Sequence, residues 1–227
     1  MILLVFVFCF MREDASPTDS AGFTEMRLND RVLLLHHAPW AETMTVVDSW
    51  RSLIVVDTWA SLRAAEKAKS RIEAVFKKQV SHVINTHYHW DHTFGNQAFK
   101  GSRVVGQRFC AGDGFRLCPP NHPVGDRDTL SVGDLTVLFY HMPGIHTRSN
   151  MTLFIPELGI VFGRREFAYA AQMKLEPGAD PQKIVRVLED ILSFGKSIRY
   201  LIPGHGEAIL NPDLNAGVKC LNGRDFR

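Results

Sequence analysis

The sequence has few cysteines, little net charge and no apolar run long enough to cross a membrane. Only four of the 227 residues are cysteine, and no two form a C-x-x-C pair. This excludes a dense disulfide framework and a cysteine-rich structural zinc site. A Cys110–Cys118 bridge and free buried thiols both remain open. Basic residues number 26 against 24 acidic ones, and the formal charge of +2 gives no indication of a nucleic-acid partner.

The amino terminus carries a short apolar run, Met1–Met11. It falls well below the ~20 residues that span a bilayer, so no stable membrane span is predicted. No basic residues precede it and no clean cleavage site follows it. Residues 1–20 are therefore interpreted either as the remnant of an export signal or as a chance apolar, disordered start. The first reading predicts a periplasmic or secreted protein and the second a cytoplasmic one.

The rest of the chain has the composition of a globular domain, with 45% apolar and 22% charged residues. At about 150 residues per domain, the length favours one domain, taken as 21–227, over two. Helices are predicted at Ser61–Lys78 and Asp180–Phe194. The segment Ala111–Asp128, rich in glycine and proline, is predicted to form a long loop. Strands are predicted at Val32–His37, Met44–Ser49, Leu53–Thr58, His82–Thr86, Ser102–Gln107, Asp134–Met142, Asn150–Ile155, Gly159–Phe162 and Arg199–Pro203. This grouping favours an α/β fold with two sheets covered by helices over a strictly alternating parallel sheet.

Four candidate metal ligands follow one apolar strand within six residues: His87, His89, Asp91 and His92. An extended backbone would point His87 and His89 to the same side, because side chains alternate along a strand. Asp91 and His92 come where the chain must turn, so they can face an adjacent position. Imidazole nitrogen and carboxylate oxygen are ordinary zinc ligands. The cluster is thus suited to two cations about 3.5–4 Å apart.

Three further residues are candidates for the same site. His146 and His205 each follow an apolar strand in a glycine-containing turn, where a loop can place a side chain at a sheet edge. Taken alone, each is equally well an ordinary loop histidine. Asp57 ends the strand LIVVDT, where it is either a turn residue or the acceptor that orients a ligand histidine through its free N–H.

The H-x-H-x-D-H spacing of His87–His92 resembles the signature of the metallo-β-lactamase superfamily of zinc hydrolases. The resemblance extends from about Phe23 to Asn211 and includes the loops Pro143–Thr147 and Pro203–Glu207. It implies a four-layer αββα sandwich with one or two Zn²⁺ ions. It also implies that His87, His89 and His146 hold the first zinc, that Asp91, His92 and His205 hold the second, and that Asp57 lies behind the metals.

The resemblance further implies a zinc-dependent hydrolase acting on an ester- or amide-type bond of a small molecule: a lactam, lactone or thioester. Zinc lowers the pKa of a bound water toward roughly 7, which makes hydroxide available as the nucleophile. Asp91 is the predicted catalytic residue and would orient that nucleophile. No G-x-S-x-G motif offers a serine nucleophile instead. The sequence does not define an oligomeric state.

One position departs from the family pattern. Many members carry an aspartate that bridges both metals after the strand ending at Phe162, and this chain has Arg164 there. A guanidinium beside two cations would weaken the second metal site, unless Arg164 turns outward to solvent or Glu166 substitutes. After Leu214 the family commonly continues into another helix, whereas this chain ends in Asn222–Arg227 with little apolar periodicity, which suggests a shortened carboxyl terminus. The alternative prediction is therefore a degenerate, non-catalytic or mono-zinc protein of the same fold.

Overall fold

The computed structural model describes residues 22–38, 41–111, 119–169, 175 and 179–223. The strands are β1 (Phe23–Asn29), β2 (Val32–His37), β3 (Glu42–Asp48), β4 (Leu53–Val56), β5 (Val80–Ile84), β6 (Arg103–Gln107), β7 (His122–Val124), β8 (Arg127–Val132), β9 (Leu135–His141), β10 (Met151–Ile155), β11 (Ile160–Phe162), β12 (Tyr200–Ile202) and β13 (Ile209–Leu210). The helices are α1 (Leu62–Phe76), α2 (Trp90–Thr93), α3 (Pro181–Ser193) and α4 (Leu214–Asn222), with 3₁₀ turns at Phe94–Phe99, Arg108–Ala111 and Arg165–Phe167.

The strands form two sheets. The first has the order β1 to β7, antiparallel from β1 to β4 and parallel from β4 to β7. The second has the order β13-β12-β11-β10-β9-β8, in which β11 and β12 pair in parallel and the other neighbours are antiparallel. Parallel neighbours need crossover connections: α1 lies between β4 and β5, α2 between β5 and β6, and α3 between β11 and β12.

The alternation of side chains along each strand builds the layers. In β2, Val32 and Leu34 enter the core between the two sheets, while Leu33 and Leu35 pack on the side of α1. Helix α1 begins at the Ser61 cap, as predicted, and buries its alanine-rich face on the first sheet. Helices α3 and α4 cover the outer face of the second sheet. The predicted four-layer αββα sandwich is therefore confirmed.

Helix α3 shows why the second outer layer forms. Asp180 caps its start by accepting a hydrogen bond from the backbone N–H of Lys183, and Pro181 occupies the first turn, where no N–H is needed. Its apolar residues recur at helical spacing, so one stripe is buried against the sheet. The buried residues of this stripe are Ile184, Val185, Val187, Leu188 and Ile191.

Two sequence predictions need correction. The segment predicted as a loop at Ala111–Asp128 contains β7 and the start of β8, and residues 112–118 lie outside the described part. A further helix follows Leu214, where the sequence suggested a shortened terminus: α4 forms because Asp213 caps its start and Leu214 and Leu221 pack against the α3 layer, while residues 224–227 lie outside the described part. Residues 1–20, interpreted as an export signal or disordered start, and Cys118 also lie outside the described residues.

Within the described residues, no helix has both the length and the apolar character needed to cross a membrane.

The strand order brings several chain turns to one edge of the sandwich. These turns follow β4, β5, β11 and β12 and connect β9 to β10. They carry, in that order, Asp57, the segment His87–His92, Arg164, His205 and His146.

Candidate metal centre

The structure brings all six predicted ligand residues together in two groups of three. In the first group, the nitrogen donors of His87, His89 and His146 all lie within 4.8 Å of one another. In the second, the donors of Asp91, His92 and His205 lie within the same limit. The rings of His87 and His92 are 4.2 Å apart between centroids, so the two groups are immediate neighbours.

The first group is formed by three imidazoles that face one another. Nε2 of His146 is 3.2 Å from Nδ1 of His89, and the ring of His87 is 4.7 Å from His89 and 5.1 Å from His146 between centroids. His87 is buried and His146 is exposed. Strand β5 ends at Ile84, so a bend beyond the strand, rather than the predicted extended backbone, brings His87 and His89 together.

The hydrogen bonds of His87 leave one of its nitrogens available. The hydroxyl of Thr86 is 2.8 Å from Oδ2 of Asp57 and must donate its only hydrogen there, because an ionised carboxylate only accepts. At its 3.1 Å contact with Nδ1 of His87 the same hydroxyl therefore accepts, which places the ring proton on Nδ1. Nε2 of His87 is buried and has no hydrogen-bond partner among the described residues.

The unpartnered Nε2 of His87 shows whether these residues fit a metal ion. A buried polar atom without a partner costs about 1–3 kcal/mol. A divalent cation bound by Nε2 of His87 and by the two neighbouring imidazoles would give that nitrogen a partner. Histidine nitrogens are ordinary zinc ligands. The residues present therefore fit a metal ion.

The second group combines two imidazoles with a carboxylate. Oδ2 of Asp91 is 3.3 Å from Nε2 of His92 and 3.1 Å from Nε2 of His205, and the two histidine nitrogens are 3.1 Å apart. Asp91 and His92 are consecutive residues of α2, a single helical turn. His92 is buried, whereas His205 is exposed on its loop.

Asp57 lies directly behind the second group. Its Oδ2 accepts a hydrogen bond from Nδ1 of His92 at 2.8 Å, and its Oδ1 accepts the backbone N–H of Thr86 at 2.9 Å. Its backbone has a φ of 58°, a left-handed conformation that side-chain-bearing residues seldom adopt. Asp57 therefore contacts both the residue before His87 and the ring of His92, as expected for a residue that orients ligands.

The two groups differ in their proton affinity. Burial, followed by the neighbouring imidazoles of His92, His89 and His146, lowers the pKa of His87 well below its usual value, and burial lowers the pKa of His89. Burial would also lower the pKa of His92, but Asp57 and Asp91 outweigh it and raise that pKa to about 10. Although burial opposes ionisation of Asp91, hydrogen bonds from His205 and His92 hold its pKa well below the usual range.

A buried amide network that the sequence analysis missed supports α2. Nδ2 of Asn85 donates to the carbonyl of His92 at 2.9 Å, and Nδ2 of Asn96 donates to Oδ1 of Asn85 at 2.8 Å. Thr58 donates its hydroxyl to Oδ1 of Asn96 at 2.7 Å and its backbone N–H to the carbonyl of His92 at 3.0 Å. The only sequence signal was two polar residues, Asn85 and Asn96, flanking the ligand cluster.

The His205 loop is held by the start of strand β3 and by the residue before it. The N–H of Thr43 donates to the carbonyl of Gly204 at 2.9 Å, and the N–H of Gly206 donates to the carbonyl of Ala41 at 2.8 Å. Gly204 permits this approach, since a Cβ there would lie 2.6 Å from Cε1 of His92. The loop therefore packs directly on the ring of another ligand candidate.

The His146 loop is held by two buried polar side chains. Oδ1 of Asn150 accepts both the backbone N–H and the hydroxyl of Thr147 at 2.7 Å. Oγ of Ser149 accepts the N–H of Tyr88 at 3.1 Å, which joins this loop to the segment between His87 and His89.

Arg164 does not turn outward to solvent, so that alternative is excluded. Its side chain is 25% exposed and lies in the wall of the site. Its guanidinium donates to the carbonyl of Ile145 and to both carboxylate oxygens of Glu166, at 2.7 and 3.2 Å. Both oxygens of Glu166 are thus engaged by Arg164, so Glu166 is not placed as a free substitute for a bridging carboxylate.

Both groups open into one cavity of about 280 Å³, and four of the six candidate ligands line it: His87, His92, His146 and His205. Ile145, Met151 and Phe167 supply an apolar wall, and Arg164 and Glu166 a charged one. A cavity near the lower end of the usual range for ligand sites suits a small molecule or part of a larger one.

The class of fold is thus an αββα sandwich with two adjacent groups of candidate metal ligands at one sheet edge. The sequence profile of the metallo-beta-lactamase superfamily matches residues 38–205, and the chain belongs to that superfamily. The predicted family is thereby confirmed.

Individual relatives share only about a quarter to a third of their aligned residues with this chain. Over 86 residues the chain is 35% identical to the hydroxyacylglutathione hydrolase of Maricaulis maris, in an alignment that covers 37% of this chain and 32% of that one. It is 25% identical to the metallo-beta-lactamase type 2 of Bacillus cereus over 173 residues, 71% of this chain and 66% of the relative. The chain thus matches about a third of the length of the hydroxyacylglutathione hydrolase.

Solved structures show the same fold at low identity. The metallo-beta-lactamase from Pontibacter korlensis superimposes with a TM-score of 0.69 at 17% identity, covering 89% of this chain and 100% of that one. A metallo-beta-lactamase from Erythrobacter litoralis gives 0.67 at 19% identity, covering 88% and 96%.

Proposed function

We propose that this protein is a zinc-dependent hydrolase that cleaves an ester- or amide-type bond of a small molecule, of the lactam, lactone or thioester kind. The observation that carries the proposal is the convergence of six metal-type donors, from three separate turns, in two adjacent groups, each of which contributes two residues to the lining of one cavity. Membership of the superfamily supports the same class of reaction.

The proposal gives each group one cation. His87, His89 and His146 would hold the first zinc, and Asp91, His92 and His205 the second. When bound, zinc supplies Lewis-acid chemistry and makes a water molecule nucleophilic near neutral pH. His87 would bind through Nε2, because Thr86 fixes its proton on Nδ1. His92 would bind through Nε2, because its Nδ1 faces Asp57.

Asp91 is the proposed catalytic residue. Its hydrogen bonds keep the carboxylate ionised, and an ionised Oδ atom can accept a hydrogen bond from the nucleophile and fix its direction of attack. The apolar wall formed by Ile145, Met151 and Phe167 would exclude bulk water around the bond that is cleaved. No covalent enzyme intermediate is needed.

The substrate panel follows from the two kinds of relative. The longer alignment is with a metallo-beta-lactamase type 2 and the more identical, shorter one with hydroxyacylglutathione hydrolases. Purified protein should be assayed against lactams, lactones and acylglutathione thioesters, with phosphodiesters as a negative panel. We expect turnover of at least one of the first three classes, abolished by a chelator and restored by zinc. Absence of bound zinc together with absence of chelator-sensitive turnover would refute the proposal.

The second candidate is a mono-zinc or non-catalytic protein of the same fold. Arg164 favours it, because the position beside the metal groups carries a guanidinium rather than a carboxylate. Zinc stoichiometry separates the two candidates. Two equivalents with turnover support the hydrolase, and one equivalent without turnover supports the alternative.

A further inference from the structure

Arg164 contacts the loop that carries His146, and this contact suggests a role for the arginine. Its guanidinium donates to the carbonyl of Ile145, the residue directly before His146 in the chain. Ile145 is buried, with 2% exposure, whereas the side chain of His146 is exposed. The position of the exposed His146 ring therefore depends on how firmly the backbone of Ile145 is held.

The arginine itself is held on both sides. Glu166 receives two of its N–H groups in a forked arrangement, which fixes the plane of the guanidinium. The segment that carries both residues is anchored by Phe167, which is 1% exposed and so close to Gly163 that a Cβ there would lie 2.7 Å from its ring. A rigid segment after β11 thus contacts the loop between β9 and β10.

The pairing also changes the electrostatics of the site. An isolated guanidinium beside the metal groups would repel cations. Here the carboxylate of Glu166, 2.7 Å away, compensates the charge of Arg164. The repulsion is reduced, while the hydrogen bond to Ile145 is retained.

We propose that Arg164 is a positioning residue, which, braced by Glu166, fixes the carbonyl of Ile145 and so holds His146 in the first metal group. This inference rests on the proposed function, since it takes the first group to bind zinc. The arginine at the bridging position then supports the first metal rather than opposing the second.

The neighbouring Arg165 offers a matched control. It carries the same charge and lines the same cavity, but it lies beside Gly206, in the loop of His205. Arg164→Met and Arg165→Met each remove one positive charge, and only the first removes a donor from Ile145. A pure charge effect predicts tighter cation binding in both variants, whereas loss of positioning predicts weaker binding in Arg164→Met alone.

The experiment titrates metal-free wild type, Arg164→Met and Arg165→Met with zinc, and records the visible absorption of bound Co²⁺, which reports ligand number and geometry. We expect first-group affinity to fall about 10- to 100-fold in Arg164→Met, the usual cost of losing a partner that orients a ligand, and to change little in Arg165→Met. The Co²⁺ spectrum of Arg164→Met should shift toward that of His146→Ala.

A double variant tests whether Arg164 acts through His146. If it does, adding Arg164→Met to His146→Ala costs almost no further affinity, because the positioned ligand is already gone. Additive losses, or equal or tighter binding in Arg164→Met, would overturn the inference.

Should Arg164→Met fail to fold, Arg164→Lys carries the test. Lysine lacks the fork that contacts Glu166 and Ile145 together, so an unchanged affinity would overturn the inference. Absence of zinc binding by the wild type would instead refute the proposed function.

Discussion

The two groups of candidate metal ligands lie side by side but differ in composition. The first consists of three imidazoles, and the pKa of His87 and of His89 is lowered, so their lone pairs are available at neutral pH. The second places His92 between the carboxylates of Asp57 and Asp91, which raise its pKa to about 10 and so favour the doubly protonated, charged ring at neutral pH. A cation enters the first group without displacing a proton and must displace one from the second.

Two groups with three candidate ligands each can therefore differ in their affinity for a cation. Metal binding competes with protons wherever a ligand is protonated beforehand. We therefore expect the first group to bind zinc more tightly at pH 7, although only the second contains a negatively charged ligand. Variants of each group should separate the two contributions.

The largest effect is expected for His87→Ala. His87 supplies the buried orphaned nitrogen of the first group, so its loss should lower first-group affinity by more than about 100-fold, beyond the range for residues that merely orient ligands. Zinc calorimetry of metal-free protein measures this loss. His82→Ala is the control, since His82 lies on β5 outside both groups. Equal losses in the two variants would contradict the assignment.

Asp57→Asn should act mainly on the second group. The carboxylate accepts from the N–H and hydroxyl of Thr86 and from Nδ1 of His92, so either orientation of an amide sets its nitrogen against a donor. We expect about 10- to 100-fold weaker second-group binding, measured in the same titration. Asp48→Asn, which removes an equal charge from the ion pair with Lys78, should leave zinc binding unchanged.

The two groups should also differ in pH dependence. With the pKa of His92 raised to about 10, one proton must leave the second group when zinc binds at pH 7. Second-group affinity should therefore rise as the pH increases from 7 toward 10, while first-group affinity should change little. Calorimetry in buffers of different ionisation enthalpy counts the released protons. Release of no proton on occupying the second group would contradict this comparison.

Asn96→Ala should give the smallest effect on metal binding. It leaves the buried Oδ1 of Asn85 without its donor, which costs about 1–3 kcal/mol of folding free energy, while Nδ2 of Asn85 keeps its hydrogen bond to the carbonyl of His92. Because Asn96 reaches His92 only through other residues, second-group affinity should fall by less than about tenfold. Asp180→Ala, which removes the cap of α3, should destabilise by about 1 kcal/mol without altering zinc affinity. Thermal unfolding and zinc titration together check both statements.

The convergence of the six candidate ligands could be predicted from the sequence because each lies in a short local pattern: the cluster His87–His92 and two glycine-containing turns. The layers could be predicted because strands such as β2 and the stripe of α3 have clear periodicity. The short α4 was missed, although Asp213 offers a cap in the sequence. Single-domain organisation over 21–227 and an export signal in residues 1–20 stay predictions.

The supporting contacts could not be predicted, because they join residues far apart in the chain. Thr58 meets Asn96 across 38 positions, and Tyr88 meets Ser149 across 61. The orientation of Arg164 depends on Glu166 and on the carbonyl of Ile145, which only the folded loops bring together. No spacing rule reports such pairs, because they depend on how the two sheets pack.

The most direct test is calorimetric zinc titration of the metal-free protein at pH 7, with His146→Ala and His205→Ala used to assign the steps. The structure predicts two equivalents, a tighter one that His146→Ala removes and a weaker one that His205→Ala removes. Binding of no zinc, or a tight equivalent that survives both substitutions, would contradict the assignment of these six side chains as a paired metal centre.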